Sequence, residues 1–234
     1  MSRSTLRGSA ITAEIRKAQA AAAAAPVAPK AAKKNAKDKA VAAAPKGAGE
    51  IRIIGGQWKR TRLPVAQRPG LRPTPDRVRE TLFNWLGQDL AGWRCLDAFA
   101  GTGALGIEAA SRGAASVLLV ENDAALVAQL QVLQAKLQAS AVRVQRGDGV
   151  SALKQATPAS LDLVLLDPPF DGPFFEPALQ AGAQAVAAGG FIYLEAPRAW
   201  ADEELAAVGL LVHRHLKAGA VHAHLLRPVA AAAA

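Results

Sequence analysis

Short apolar runs alternate with helix-like stretches over most of this chain. Val, Ile and Leu are concentrated in the runs, whereas the stretches between them are rich in Ala, Leu, Gln and Glu, as is typical of helices. The runs predict five strands and a closing antiparallel hairpin: Cys95–Asp97, Ser116–Glu121, Val142–Gln145, Leu161–Leu166 and Phe191–Glu195, then Leu211–Lys217 and Val221–Arg227. Strands that alternate with helices predict an α/β fold with a mostly parallel sheet and helices on both faces.

A different pattern precedes these strands. Residues 51–63 contain two short apolar runs on either side of Gly55-Gly56, which predict a β-hairpin rich in cations. A helix follows, and we expect Thr74 to be its N-cap, Pro75 its first residue and Asp76 part of its first turn. Residues 1–49 have almost no large apolar side chain and are predicted to be a disordered tail rich in Ala, Lys and Pro.

Composition limits the possible classes of protein. The 234 residues, 51% of them apolar, are enough for one α/β core. The single cysteine, Cys95, excludes a disulfide within the chain, and no window is apolar enough for a membrane span. We therefore expect a soluble, cytoplasmic protein. An organellar transit peptide is an alternative interpretation of residues 1–49, where acidic residues are rare.

The net charge of +9 is unevenly distributed. Residues 1–49 carry a net +8 and residues 50–80 a net +5, whereas the remaining 154 residues carry a net −4. A basic N-terminal third joined to a mildly acidic remainder suits a polyanionic partner such as RNA. The tail would act as a mobile polycation, and the hairpin and helix would hold cations in fixed positions.

A glycine-rich loop joins the strand that ends at Asp97 to the next predicted helix. Gly101, Gly103 and Gly106 match G-x-G-x-x-G, the dinucleotide pattern, so an NAD(P)-dependent oxidoreductase is one alternative. Asp97 argues against it, because a carboxylate repels a pyrophosphate but attracts the ammonium and sulfonium of S-adenosylmethionine (SAM). The loop therefore favours SAM.

Two further carboxylates follow predicted strands. Glu121 comes twenty-four residues after Asp97, where its oxygens would accept both ribose hydroxyls of the cofactor. Asp148 follows the third strand and would accept from an adenine amino group, although an ordinary turn aspartate explains it almost as well.

The fourth strand runs directly into Asp167-Pro168-Pro169-Phe170. The two prolines fix the backbone, which leaves the Asp167 carboxylate and the Pro168 carbonyl as acceptors beside an aromatic ring. This is the arrangement that an exocyclic amine requires.

Four histidines lie in the closing hairpin as two H-x-H pairs: His213, His215, His222 and His224. A zinc site there is conceivable, but no acid or cysteine accompanies them, so we interpret them as surface or packing residues and predict no metal.

Together these motifs resemble the class I SAM-dependent methyltransferases of exocyclic amines. Ile51–Gly56, Leu71–Trp85 and Glu108–Ala114 narrow the resemblance to the RsmD family of bacterial 16S rRNA guanine-N2 methyltransferases. That resemblance spans about residues 50–228 and implies a seven-stranded sheet. The domains would be a tail at 1–49, a basic RNA-binding extension at 50–90 and a methyltransferase domain at 91–230.

The resemblance also implies roles for individual residues. Those that would hold SAM are Asp97, Phe99, Gly101, Gly103, Glu121, Asn122 and Asp148. Those that would hold a flipped guanine for direct methyl displacement are Asp167, Pro168, Pro169 and Phe170. Those that would contact RNA are Arg52, Lys59, Arg60, Arg62, Arg72 and Arg77.

The expected partner is 16S rRNA or the assembling small ribosomal subunit. We expect the protein itself to be a monomer. An adenine-N6 methyltransferase of DNA or RNA, and a basic RNA-binding assembly factor with vestigial catalysis, remain alternatives.

Overall fold

A computed structural model describes residues 50–64 and 74–229. The predictions for the tail at 1–49 and for Arg72 lie outside the described residues. The described chain begins with a two-stranded antiparallel hairpin, β1 (Glu50–Arg52) and β2 (Arg62–Pro64), as predicted.

The main sheet has seven strands: β3 (Arg94–Asp97), β4 (Ser116–Glu121), β5 (Val142–Arg146), β6 (Leu161–Leu166), β7 (Val186–Ala196), β8 (Leu210–Ala218) and β9 (Val221–Pro228). Their order is β5-β4-β3-β6-β7-β9-β8, and β9 alone runs antiparallel to both of its neighbours. The predicted mostly parallel seven-stranded sheet is confirmed. From β3 the strands are added toward one side of the sheet as far as β5, and from β6 they are added toward the other side. The order therefore reverses between the central neighbours β3 and β6, and ligands of open α/β sheets bind at such a point.

Six helices accompany the sheet: α1 (Asp76–Leu86), α2 (Ala104–Ser111), α3 (Ala124–Lys136), α4 (Gly149–Gln155), α5 (Phe175–Ala185) and α6 (Asp202–Ala206). The N-cap of α1 is Pro75, and no side chain caps it, so the prediction of Thr74 as the cap is wrong by one residue. Helix α5 ends at Ala185, because the next residue, Val186, pairs with Leu161 and begins β7.

The core has one layer on each face of the sheet. Leu82, Ile107 and Leu130 represent the face covered by the hairpin, α1, α2 and α3. Leu153 and Leu179 represent the opposite face, which α4, α5 and α6 cover. Among the described residues, no helix is both long and apolar enough to cross a bilayer.

A buried ionic cluster attaches the hairpin to the sheet domain. Glu108 of α2 is fully buried and accepts five hydrogen bonds: from the backbone N–H groups of Ile54 (3.1 Å) and Gly55 (2.9 Å), from Arg79 Nη1 (2.8 Å), and from Arg112 Nε (3.1 Å) and Nη2 (2.7 Å). The carboxylate thereby connects the hairpin, α1 and α2. A buried charge is tolerated when it is paired and hydrogen-bonded in this way.

Arg79 differs from the cations that the sequence assigned to RNA contact, because it has no exposed surface. Besides Glu108, its guanidinium donates to the carbonyls of Thr74 (3.2 Å) and Arg52 (3.0 Å) and to Asp76 Oδ1 (2.6 Å). Arg79 therefore connects β1, the start of α1 and α2 from a buried position.

Glu108→Gln tests this cluster. The substitution preserves shape but leaves Arg112 buried without a counter-charge and Arg79 with Asp76 as its remaining counter-charge, so we expect the free energy of unfolding to fall by about 3–5 kcal/mol. Chemical denaturation of both proteins measures the difference. The matched control is Glu204→Gln, which removes the carboxylate from the exposed Arg198–Glu204 pair and should leave the transition near that of wild type. Equal effects of the two variants would contradict the role given to Glu108.

Candidate functional site

One cavity of about 560 Å³ lies at the carboxyl edge of the sheet. The loops after β3, β4 and β6 line it with Asp97, Glu121 and Asp167. Parallel strands end at the same edge, so residues far apart in sequence meet there. Thr74 and Pro75 before α1, and Ala220 and Val221 at the β8–β9 turn, also contribute to its wall.

Asp97 is almost completely buried at the end of β3. Its Oδ2 accepts from the backbone N–H of Gly106 at 3.0 Å, whereas its Oδ1 has no hydrogen-bond partner among the described residues. Burial raises the pKa of this carboxyl to about 7, and the Gly106 hydrogen bond opposes the shift. An unpaired buried acceptor on a cavity wall is a natural binding point for a cationic ligand.

The glycines of the loop have separate structural roles. Gly101 and Gly103 adopt φ of 53° and 79°, the left-handed region that glycine enters at little cost. A Cβ on Gly106 would lie 2.2 Å from the Leu119 side chain on β4 and 3.0 Å from Asp97 Oδ2 at the end of β3, so glycine lets α2 pack this closely against both strands. Phe99 also lines the cavity, and its ring packs edge-on against Phe174.

Glu121 anchors the opposite side of the loop. Its Oε2 accepts from Gly101 N–H, and its Oε1 accepts from the N–H groups of Asn122 and Asp123, each at 2.8 Å. A carboxylate has about four acceptor positions, so capacity remains for a hydroxyl from the cavity. Asn122 is exposed at the rim of the cavity.

Asp148 is the N-cap of α4, and its Oδ1 accepts from Ser151 N–H at 2.7 Å. This is the structural role that the sequence left open. The residue is exposed and also lines the cavity, so the capping role does not remove it from the candidate site.

Asp167, Pro168, Pro169 and Phe170 form the other wall of the cavity. Asp167 is half-buried, and burial, followed by the negative charges of Glu195 and Asp97, raises its pKa well above the usual range. The Phe170 ring is 41% exposed and has a tilted contact with Phe175. An accessible ring beside a half-buried carboxyl leaves space for a planar ligand.

Glu195, near the end of β7, is a cavity residue that the sequence analysis missed. It is 3% exposed, and Tyr193 Oη donates to its Oε1 at 3.0 Å. The signal was available, because Glu195 is an acid at the end of a predicted strand, as Asp97 and Glu121 are. No flanking motif drew attention to it.

The candidate RNA-binding cations fall into two groups. Arg52 forms an ion pair with Asp76 at 3.6 Å, and Arg62 forms one with Glu50 at 2.7 Å. Lys59, Arg60 and Arg77 are exposed, and the described part of the chain provides no ion pair for them. These three are therefore the most available for phosphates.

The histidines lie on neighbouring strands. The rings of His215 and His222 are joined by a 3.0 Å contact between nitrogens, and His224 is buried, with its Nε2 accepting from Trp200 N–H. Burial lowers the pKa of His224 to about 4. Within residues 50–64 and 74–229, no group of three His, Cys, Asp or Glu side chains is arranged to hold a metal ion.

Comparison with known proteins agrees with this geometry. Residues 51–227 match the family described as Conserved hypothetical protein 95. A relative named Ribosomal RNA small subunit methyltransferase D, from Escherichia coli strain K12, is 54% identical over 125 residues, which are 53% of this chain. The matched stretch spans 62% of that relative's length, less than two thirds.

Solved structures align over more of the chain. The Escherichia coli protein yhhF is 41% identical with a TM-score of 0.65, covering 77% of this chain and 98% of its own. A methylase structure from Haemophilus influenzae is 31% identical with a TM-score of 0.64, covering 77% and 99%. The chain therefore belongs to the family described as Conserved hypothetical protein 95, the RsmD family, and has the class I methyltransferase fold.

Proposed function

We propose that this protein transfers a methyl group from SAM to the exocyclic N2 of a guanine in 16S rRNA, within free rRNA or an assembling small subunit. The observation that supports this most strongly is the shared cavity. It brings the Asp97–Gly103 loop and the Asp167–Phe170 turn together at one edge of the sheet. The names of the relatives, which describe methyltransferases of small-subunit ribosomal RNA, support rRNA as the substrate class.

The chain offers a suitable set of groups for SAM. The Oδ1 of Asp97 is buried and has no hydrogen-bond partner among the described residues. The positively charged ammonium or sulfonium of SAM would stabilise it in the ionised form. Phe99, Gly101 and Gly103 would border the methionine portion, Glu121 and Asn122 the ribose, and Asp148 the adenine. When bound, SAM supplies an electrophilic methyl group on a positively charged sulfur.

Asp167 and the Pro168 carbonyl would hold the guanine amine. The lone pair of an aryl amine is delocalised into its ring, so acceptors that favour a pyramidal nitrogen increase its reactivity. Pro168 and Pro169 fix the direction of these acceptors, which lowers the cost of ordering them. Phe170 would stack on the base after it has flipped out of its RNA strand.

Asp167 would also receive the proton that N2 loses as the N–CH₃ bond forms. A carboxyl with an ordinary pKa is a poor base near neutrality, whereas the raised pKa of Asp167 makes it a better match. The reaction would then need direct displacement only, with no covalent intermediate on the protein.

Two measurements test the proposal as a whole. Calorimetry with SAM and with NAD distinguishes a methyltransferase from an oxidoreductase; tight binding of NAD alone would reject the proposal. Mapping methylated nucleosides in rRNA from cells with and without the gene then identifies the base. Loss of N2-methylguanine supports the proposal, whereas loss of N6-methyladenine would replace it with the adenine alternative.

Asp167→Ala is expected to reduce methyl transfer by about two or more orders of magnitude while SAM affinity stays nearly unchanged. The reason is the lost hydrogen bonding and proton acceptance in the transition state. Steady-state methylation and calorimetry measure the two effects. Asp171→Ala, which removes an exposed carboxylate from the same loop, is the control and should keep near-wild-type turnover.

SAM affinity should increase with pH between about 5.5 and 7. The Asp97 carboxyl titrates near pH 7 in the free protein, and a cation binds its ionised form, so low pH forces SAM to displace a proton. We expect about a tenfold gain across this range by calorimetry. Asp97→Asn should bind SAM more weakly at every pH and show no such gain; a pH dependence that survives this substitution would assign the titration to another group.

The exposed cations of the hairpin and α1 should contribute to RNA binding and not to SAM binding. Reversing Lys59, Arg60 and Arg77 to Glu is expected to weaken rRNA binding and methylation strongly and to reduce the salt dependence of binding by about one unit per lost phosphate contact. SAM affinity should not change. The control reverses Arg143 and Lys154, which are exposed on β5 and α4, and should have a much smaller effect on methylation.

A further inference from the structure

We propose that Glu195 is a specificity-determining residue that accepts the N1–H of the target guanine, next to the amine held by Asp167. This inference rests on the proposed function. Glu195 is a buried carboxylate on the cavity wall, and the proposed methyl transfer gives it no role so far.

The sheet register places Glu195 beside Asp167. Leu165 pairs with Tyr193 and Leu166 with Leu194 between the parallel strands β6 and β7, and extending this register by one position beyond the end of β6 brings Asp167 opposite Glu195. Side chains alternate between faces along each strand, and positions in register share a face. Both carboxylates therefore lie on the same face at the same edge of the sheet, and both line the cavity.

Tyr193 gives Glu195 a fixed orientation. The two residues are separated by two positions on β7, share a face, and are joined by the 3.0 Å hydrogen bond from Tyr193 Oη to Glu195 Oε1. Tyr193 has no exposed surface, so its hydroxyl cannot easily move away. The influence of the Glu195 charge on the pKa of Asp167 agrees with their proximity.

The chemistry of the base edge suits two adjacent carboxylates. Guanine presents N1–H and the two N2–H donors side by side on its Watson–Crick edge, and acidic side chains are acceptors for such donors. Adenine presents a lone pair at N1, which would face the negative oxygens of Glu195. A site that provides acceptors for a donor rejects a base that lacks it, because its buried groups are left unpaired.

The test uses a base that retains the reacting amine but lacks N1–H. Small subunits are reconstituted with 16S rRNA carrying either guanine or 2-aminopurine at the methylated position that nucleoside mapping identifies. Wild type should methylate 2-aminopurine with a kcat/KM at least about a hundredfold lower than guanine. Glu195→Gln should lower kcat/KM on guanine by about tenfold to a hundredfold.

The same variant should discriminate less strongly against 2-aminopurine than wild type does. The carboxamide that Glu195→Gln introduces donates an N–H to the N1 lone pair of 2-aminopurine, so the preference for guanine should shrink by at least about tenfold relative to wild type. A residue with a purely structural role would lower both rates equally. Unchanged SAM affinity confirms that the variant is folded, and Tyr193→Phe should narrow the preference in the same direction by a smaller factor.

The outcomes separate the two claims. Wild type that methylates guanine but shows no preference over 2-aminopurine overturns the role of Glu195 and leaves the proposed function intact. The same holds if Glu195→Gln retains the full wild-type preference. Wild type that does not methylate the guanine substrate overturns both. If Glu195→Gln does not fold, the wild-type comparison of the two bases decides alone.

Discussion

The buried carboxylate of Glu108 is the contact on which the arrangement of this protein depends. Its five hydrogen bonds attach the hairpin backbone and the Arg79 and Arg112 guanidiniums to α2. Helix α2 begins immediately after Gly103 of the cavity loop. Arg79 also holds the Thr74 carbonyl, and Thr74 lies on the cavity wall. One ionic cluster therefore fixes both the basic extension and one side of the cavity relative to the sheet, which a flexible attachment would not achieve.

Charge is segregated in the same arrangement. The cations of the hairpin and α1 are exposed on the surface, whereas Asp97, Asp167 and Glu195 line the cavity. Under the proposed function each region has a separate ligand: phosphates attach to the outer cations, and the donors of SAM and the base enter the acidic cavity. A polyanion alone would be repelled from the cavity, so only an extruded base with donor groups would enter.

The sequence predicted the fold and much of the site for identifiable reasons. Apolar runs ending in an acid marked β3 and β4, and Asp167-Pro168-Pro169-Phe170 marked β6, because local pattern and chemistry coincide there. The sequence did not reveal that Arg79 is buried, since its partner Glu108 is twenty-nine positions away and only the fold brings them together. Glu195 was missed for the same reason: its proximity to Asp167 comes from strand register, which no local pattern encodes.

The cluster of carboxylates also connects the two ligands that the proposed function requires. Burial and the repulsion of nearby carboxylates raise the pKa of Asp97 to about 7 and raise that of Asp167 well above its usual range. A cation bound at Asp97 would offset that repulsion and favour the ionised form of Asp167. Ionised Asp167 is the form that accepts hydrogen bonds from an amine and later its proton. Cofactor binding would thereby prepare the acceptor site for the base through electrostatics alone, without any movement of the backbone.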